Sequence, residues 1–452
     1  MTKLFGTDGM RGEAGKFPLD AATVRTVGTS LATRMKEKLG RPASVVIGRD
    51  TRESGTWIEN ALVAGLSAAG ASSKSAAVIT TPGVAYLARA LSADAGIVIS
   101  ASHNPYLDNG IKIFDPSGRK LEEPMERAIE SDVSAARENS SEVNSLTTEA
   151  NQSDVDELHN RYLNFLANEI GRNLSLKNFS LVLDCANGAS SELAPELFRR
   201  LGATVTTIND QPDGRNINLN SGSLHMEGLQ REVVKQSADL GVAFDGDADR
   251  ALFVDSNGDL VNGDASLWVL ANYLKSRRQL EGETVVATVM SNIGLEVALK
   301  SRGISLVRTD VGDKYVLEEL LRLNASLGGE QSGHIIFPNL SLAGDGLITT
   351  LCMLRAMANE GKPLQELTTG FQTFPQILLN VEVSAKRPFA EIPAIRDAAH
   401  GIEAQLGSRG RLLLRYSGTE PLARVMIEGE NQETIEKQAS ELAGIIQKTL
   451  GR

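Results

Sequence analysis

Three short polar stretches carry side chains suited to phosphate and metal chemistry. Ser102, His103 and Asn104 follow the apolar run Ile97–Ile99. Pro105 pushes Asn104 toward an extended conformation, so no helix forms and a hydroxyl, an imidazole and an amide are left at a strand's carboxyl end, where α/β sheets bind ligands. Asp245, Asp247 and Asp249 alternate in DGDADR. Carboxylates pointed together repel unless a cation sits among them, and Mg²⁺ suits three Asp because it keeps positions for phosphate oxygens and water. An EF-hand loop opens the same way, but Arg250 stands where its glycine must be and Ser256 where its last glutamate must be. Finally, Ser417-Gly418-Thr419-Glu420-Pro421 joins two apolar runs between Arg415 and Arg424. Successive N–H groups in a tight turn form an anion nest, and guanidinium forks grip phosphate through paired bonds. Each stretch alone has a plainer reading: a turn bonding its own backbone, a solvated acidic turn, a hairpin.

The elements around these stretches change that balance. Three parts of the chain share the order strand, loop, helix, glycine, strand, loop, helix, strand. The first begins at Ser44–Asp50, with Gly70 as a helix cap; the second at Leu181–Gly188, with Gly202; the third at Val285–Asn292, with Gly303. Short apolar runs alternating with amphipathic helices indicate parallel sheets covered on both faces. The last strand of each repeat opens into a polar loop: Ala101–Pro105, Asp245–Arg250 and Glu330–His334. Equivalent strand ends imply one shared cleft.

The expected architecture is α/β, with three similar α/β domains of mixed or parallel sheets in series and a smaller C-terminal α+β domain, arranged around a central cleft. The expected spans are 1–153 with the serine loop, 154–255 with the metal loop, 256–370 with the Glu330–His334 loop, and 371–452 with the phosphate loop. Ser131–Ser153, rich in Ser, Asn and Glu, reads as a solvated connection. Leu158–Ile170 reads as a helix, and Asp255–Asp259 as a turn at a domain boundary. In the last domain Ile435, Ala439, Leu442 and Ile446 have helical spacing.

Composition narrows the function. The 452 residues carry a net charge of −11 and only 4% aromatics, which argues against nucleic acid as a partner and requires local basic groups for any anionic substrate. Cys185 and Cys352 are too far apart in sequence to suggest a metal clip, and two thiols make no disulfide framework. The opening MTKLFGTDGMRG has no apolar core of signal-peptide length, and no run approaches the ~20 apolar residues of a membrane span, so a cytoplasmic protein without a membrane partner is expected.

Taken in order, FGTDGMRG, Ser102-His-Asn-Pro, DGDADR, GEQSGH and RYSGTEP resemble the α-D-phosphohexomutase superfamily over the whole chain. The resemblance implies an active-site phosphoserine at Ser102 and one Mg²⁺ held by that phosphate with Asp245, Asp247 and Asp249. It also implies a sugar-reading loop at Glu330, Gln331, Ser332 and His334, and a phosphate-binding loop at Ser417, Gly418 and Thr419. Gln331 and the opening motif point to members acting on a hexosamine phosphate, with mutases for mannose or glucose phosphates as the nearest alternative. Lys314 in VGDKYV stands where the family pattern calls for Arg.

The implied reaction interconverts hexosamine 6- and 1-phosphates through a 1,6-bisphosphate, which also serves as activator; a kinase or bisphosphate donor first loads the serine, and a homodimer is compatible with the pattern. Lys112 or His103 takes the sugar hydroxyl's proton. Arg11 and Arg250 steady the phosphoserine, and Arg415 and Arg424 join the distal phosphate clamp. A catalytically silent sugar-phosphate sensor is disfavoured by the presence of Ser102 with all three Asp. A Mg²⁺-dependent phosphatase is disfavoured because DGDADR lacks the aspartyl-phosphatase pattern.

Overall fold

The computed structural model describes residues 3–6, 8–137, 151–417 and 420–451. The chain divides into two compact units, one made of residues up to Val289 with Val307–Thr369, the other of Met290–Leu306 with Gly370 onward.

The first unit holds three sheets. The first has strands β1 (Phe5–Gly6), β2 (Gly9–Glu13), β3 (Ser44–Arg49), β4 (Ser72–Val78), β5 (Ala95–Ile99) and β6 (Asp108–Phe114), in the order β1-β2-β6-β5-β3-β4. The second has β7 (Ser180–Asp184), β8 (Thr204–Ile208), β9 (Leu240–Phe244), β10 (Ala251–Asp255) and β11 (Leu260–Val261), ordered β11-β10-β9-β7-β8. The third has β12 (Thr284–Thr288), β13 (Ser305–Thr309), β14 (Gly328–Gly329) and β15 (Ile335–Ile336), ordered β13-β12-β14-β15. One plan underlies all three. A central strand (β3, β7, β12) runs parallel to a neighbour (β5, β9, β14), which then turns back antiparallel into β6, β10 or β15. The predicted polar loops occupy these three turn-backs. In the third sheet the pairing strand shrinks to two glycines, because a Cβ on Gly328 would meet the Val286 carbonyl at 2.7 Å and one on Gly329 the His334 carbonyl at 2.6 Å.

Three expectations change. Ser131 is not the start of a loop: helix Glu123–Arg137 continues through it, burying Ile129 and Val133, with Asp132 paired to Arg34 at 2.7 Å. The composition of this stretch describes only the helix's wet face. Ser153 lies in helix Gln152–Asn164, and residues 138–150 of the expected connection lie outside the described residues. Helix Gln152–Asn164 then widens into a π-helical turn, Phe165–Ile170, where one regular helix was expected. The second sheet also reaches past Asp255, since β11 pairs back on β10 through Phe253↔Val261.

In the second unit β16 (Gln376–Glu382), β17 (Arg411–Tyr416) and β18 (Leu422–Glu428) form an antiparallel sheet ordered β16-β18-β17. Helix Gln432–Leu450 lays Ile435, Ala439, Leu442 and Ile446 against Val381, Val425 and Ile427. Helix Ile293–Ser301, inside the expected span 256–370, makes its compact contacts with this unit: the Glu428 carboxylate accepts from the Ile293 N–H at 3.1 Å, and Arg411 donates to the Ser291 carbonyl at 3.1 Å. Among the described residues no helix is long and apolar enough to cross a membrane.

Candidate functional site

The turn-backs of the three sheets meet within the first unit. Ser102 is buried and adopts the left-handed conformation at φ 53°. Its Oγ donates to Asp245 Oδ2 at 2.6 Å and lies 3.5 Å from His103 Nδ1. Asp245, Asp247 and Asp249 are all buried, each with a carboxylate oxygen within 4.8 Å of the others'. Asp247 Oδ2 accepts from Thr81 Oγ1 at 2.6 Å and Lys112 Nζ at 2.9 Å, whereas the Oδ1 atoms of Asp247 and Asp249 are buried without a hydrogen-bond partner. Buried carboxylate oxygens without donors are costly, and a divalent cation is the ligand that satisfies several at once. The donor set, all hard oxygen, fits Mg²⁺.

Charge balance explains the ionisation of the cluster. Burial, with repulsion from Asp249 and Asp247, pushes Asp245 well above the usual carboxylate range. Burial acts in the same direction on Asp249 but is outweighed by Lys112 and His334, which hold it well below. Burial disfavours the Lys112 ammonium, yet Asp247, Asp8 and Asp249 outweigh it and raise its pKa. His334 behaves likewise: burial opposes its charge, and Asp249 carries its pKa up to about 9. Burial and the cations Arg250 and Arg11 lower His103, so it stays neutral.

Arg11 donates to Asp8, while Arg250 Nε lies 3.7 Å from Asp249 and 4.0 Å from Asp245. Neither Nε has a hydrogen-bond partner although both are buried, leaving two guanidinium donors available beside the serine and metal loops. In the third loop Glu330 Oε1 accepts from the Gly312 N–H at 3.2 Å, and Ser332 Oγ lies 3.5 Å from Oε2. Gln331 gives its carbonyl to the Gly263 N–H at 3.0 Å, and His334 Nδ1 lies 3.6 Å from Asp249. A cavity of about 820 Å³ is lined by Lys112, Asp249 and His334 together with Lys120, Asp313 and Lys314.

Sequence reasoning overlooked several groups here. Asp8 sits among Arg11, Lys112 (3.2 Å) and Lys120 (2.6 Å), and Lys120 also reaches Asp313 at 2.7 Å. Asp8 lies inside FGTDGMRG, so its motif was visible though its role was not. Thr81, Arg52 and Asn218 belong to none of the motifs.

In the second unit Arg415 and Arg424 stand directly opposite each other across β17 and β18. Arg424 Nη2 approaches Ser417 Oγ at 3.5 Å and Glu420 at 3.3 Å, and Lys386 Nζ, also overlooked, donates to the Ser417 carbonyl at 2.6 Å. Gly418 and Thr419 lie outside the described residues.

Comparison with known proteins fits this layout. Four models described as Phosphoglucomutase/phosphomannomutase match in order: alpha/beta/alpha domain I over residues 2–140, domain II over 160–258, domain III over 262–374 and the C-terminal domain over 378–445. A phosphoglucosamine mutase of Solibacter usitatus is 50% identical over 450 residues, covering 99% of both chains. One from Koribacter versatilis is 47% identical, covering 99% of this chain and 97% of its own. Among solved structures, a phosphoglucomutase/phosphomannomutase family protein of Burkholderia thailandensis superposes with a TM-score of 0.78 at 24% identity, covering 99% and 97%. An Aspergillus fumigatus N-acetylphosphoglucosamine mutase, in complex with GlcNAc-6P and magnesium, superposes with a TM-score of 0.64 at 20% identity, covering 98% and 95%. With its four segments matched in order and half its residues shared with a full-length relative, the chain belongs to the phosphoglucomutase/phosphomannomutase family.

Proposed function

We propose that this enzyme interconverts glucosamine 6-phosphate and glucosamine 1-phosphate through glucosamine 1,6-bisphosphate, with Ser102 as the phosphoryl carrier. The observation that carries the reading is the Ser102 hydroxyl 2.6 Å from Asp245, at the edge of a buried triad whose Asp247 and Asp249 retain unsatisfied oxygens. The names of the full-length relatives supply the choice of hexosamine.

With a phosphoryl group on Ser102, a sugar hydroxyl attacks phosphorus in line. The new phosphorus–oxygen bond forms as the bond to Ser102 Oγ breaks; the hydroxyl's proton passes to a base, and a proton returns to the serine oxygen. The bisphosphate then turns over and the steps reverse at its other phosphate, so the same bisphosphate also restores an enzyme that has lost its phosphoryl group. Asp245, Asp247 and Asp249 would hold Mg²⁺ together with an oxygen on Ser102, and the bound ion supplies neutralisation of the phosphoryl charge. Arg11 and Arg250 add fixed positive charge beside the same oxygens.

Of the two candidate bases, His103 is the neutral one beside the serine. Lys112 keeps its proton while three carboxylates face it; sharing those oxygens with a divalent ion weakens the pull that keeps it charged. Glu330, Gln331, Ser332 and His334 are assigned to the sugar hydroxyls. Arg415, Ser417, Gly418, Thr419 and Arg424 are assigned to the distal phosphate. Two arginines opposed across a strand pair repel each other, and an anion bound between them removes that penalty.

Intact-mass measurement tests the reading. After incubation with glucosamine 1,6-bisphosphate the chain should gain one phosphoryl group, at Ser102, and Ser102→Ala should neither gain it nor turn over. A modification elsewhere, a fully active alanine variant, or faster turnover of mannose or glucose phosphates than of glucosamine phosphate would refute it.

A further inference from the structure

Ser102 is anchored through its backbone carbonyl as well as its side chain. Arg52, fully buried, donates through Nη2 to the carbonyls of Ser102 (3.0 Å) and Asn104 (2.8 Å) and through Nη1 to that of Pro105. Its Nε is locked by the buried Asp50 at 2.9 Å, and Asp50 also accepts from Ser100 Oγ, which in turn accepts the Ser102 N–H at 2.9 Å. From the second sheet's side, Asn218 Nδ2 donates to the same Ser102 carbonyl at 2.9 Å and to that of Asn104 at 3.0 Å. The metal loop closes on the same atom: a Cβ on Gly246 would lie 2.6 Å from the Ser102 carbonyl and 2.9 Å from Asn218 Nδ2.

We infer that Arg52 and Asn218 form a carbonyl clamp that fixes the depth of the Ser102 loop against the metal loop, making both of them positioning residues for phosphoryl transfer. The inference rests on the proposed role of Ser102. The physical need is clear. A serine at positive φ occupies a sparsely populated backbone region and stays there only if its surroundings over-determine it. Two carbonyls in one loop, each receiving donors from two different segments, do that. Lysine cannot replace Arg52, since one ammonium cannot span three carbonyls in the fixed fork of a guanidinium. Among the described residues neither Arg52 nor Asn218 hydrogen-bonds or ion-pairs with a metal-loop carboxylate, so the clamp acts through where the serine oxygen sits.

Two variants test this. Asn218→Asp is nearly isosteric, tolerates the positive φ of 59° at that position, and turns a donor into an anion facing two carbonyls. Arg52→Lys keeps the charge beside Asp50 but loses the fork. Displacing a reacting group by about 1 Å costs about a hundredfold, so each variant should lower kcat by about that factor while KM for glucosamine 1-phosphate stays within about twofold. The rate at which Ser102 gains a phosphoryl group from glucosamine 1,6-bisphosphate, followed by intact mass in a single turnover, should fall in parallel. Should Arg52→Lys fail to fold, Asn218→Asp alone decides. Wild-type transfer rates in folded Asn218→Asp, or a rise in KM with kcat unchanged, overturn the clamp alone. A wild-type chain that acquires no phosphoryl group on Ser102 overturns the proposed function and the clamp with it.

Discussion

Replacing Lys112 with methionine removes the ammonium that now faces the metal loop and offers a direct measure of the charge held there. Lys112 is 2% exposed, with Asp247 at 2.9 Å, Asp8 at 3.2 Å and Asp249 at 3.4 Å. At an effective dielectric constant near 20 the closest pair alone attracts by roughly 6 kcal/mol, and the burial of both partners takes back much of it. Removing one side of such a pair leaves carboxylates buried without compensation, at a net cost of about 3–5 kcal/mol. For a cooperative block the size of the first unit, at about 2.1 cal/mol/K of unfolding entropy per residue, that is a fall in midpoint of roughly 4–7 °C. Methionine fills the space, so little of the loss comes from packing. Calorimetry in chelator should show the drop in the first unit's transition. Excess Mg²⁺ should then raise the variant's midpoint by more than the wild type's, because ammonium and cation neutralise the same oxygens. Equal Mg²⁺-induced shifts in both proteins, or a chelated variant as stable as wild type, would refute the coupling.

Three further outcomes are expected. Stripping the protein with a chelator should abolish turnover, and Mg²⁺ should restore it; undiminished activity in a metal-free preparation removes the role assigned to the three Asp. Arg415→Ala should mainly raise KM, lowering kcat/KM about ten- to a hundredfold as a charge-assisted phosphate contact is lost, and a change within about twofold would take Arg415 out of the clamp. Asp345 caps helix Gly346–Glu360 and accepts from Tyr162 Oη at 2.7 Å, and burial raises its pKa to about 6 from 3.8. The unfolded chain therefore releases this proton first as pH rises from about 4 to 6, and that window should lower wild-type stability by about 3 kcal/mol relative to Asp345→Asn; chemical denaturation curves that stay parallel across it would show an unperturbed group.

Much of the fold was legible because the repeat is written in the chain's order: apolar strand, capped helix, strand, polar turn-back. Gly70, Gly202 and Gly303 do take positive φ, as helix-ending glycines should. The partners of helix Ile293–Ser301 were not legible for a physical reason. Its apolar face states that it must be buried, and only tertiary contacts, here with Glu428 more than a hundred residues later, say against what. The polar end of helix Glu123–Arg137 failed differently, since a helix at the surface is recognised by the spacing of a few apolar residues and Ile129 lies just before the stretch whose composition was weighed.

The site divides along the same line. Ser102, the three Asp and the Glu330–His334 loop could be read because each occupies a strand junction, and one topology used three times carries equivalent junctions to one edge. Lys112 and Arg52 could not be valued from the sequence. Lys112 lies on β6, whose residues from Asn109 to Phe114 are all buried, so the polar–apolar alternation that marks an exposed lysine does not apply and its burial follows only from the sheet's neighbours. Arg52 follows Asp50 in a stretch dense with charge that reads as surface, yet its guanidinium is spent on carbonyls some 50 residues away. Both are cations taken fully out of water, which is tolerable only where a fixed set of acceptors receives them. Chemistry-bearing residues announce themselves by type and spacing; the residues that hold them in place are defined by what they face, and facing is a property of the fold.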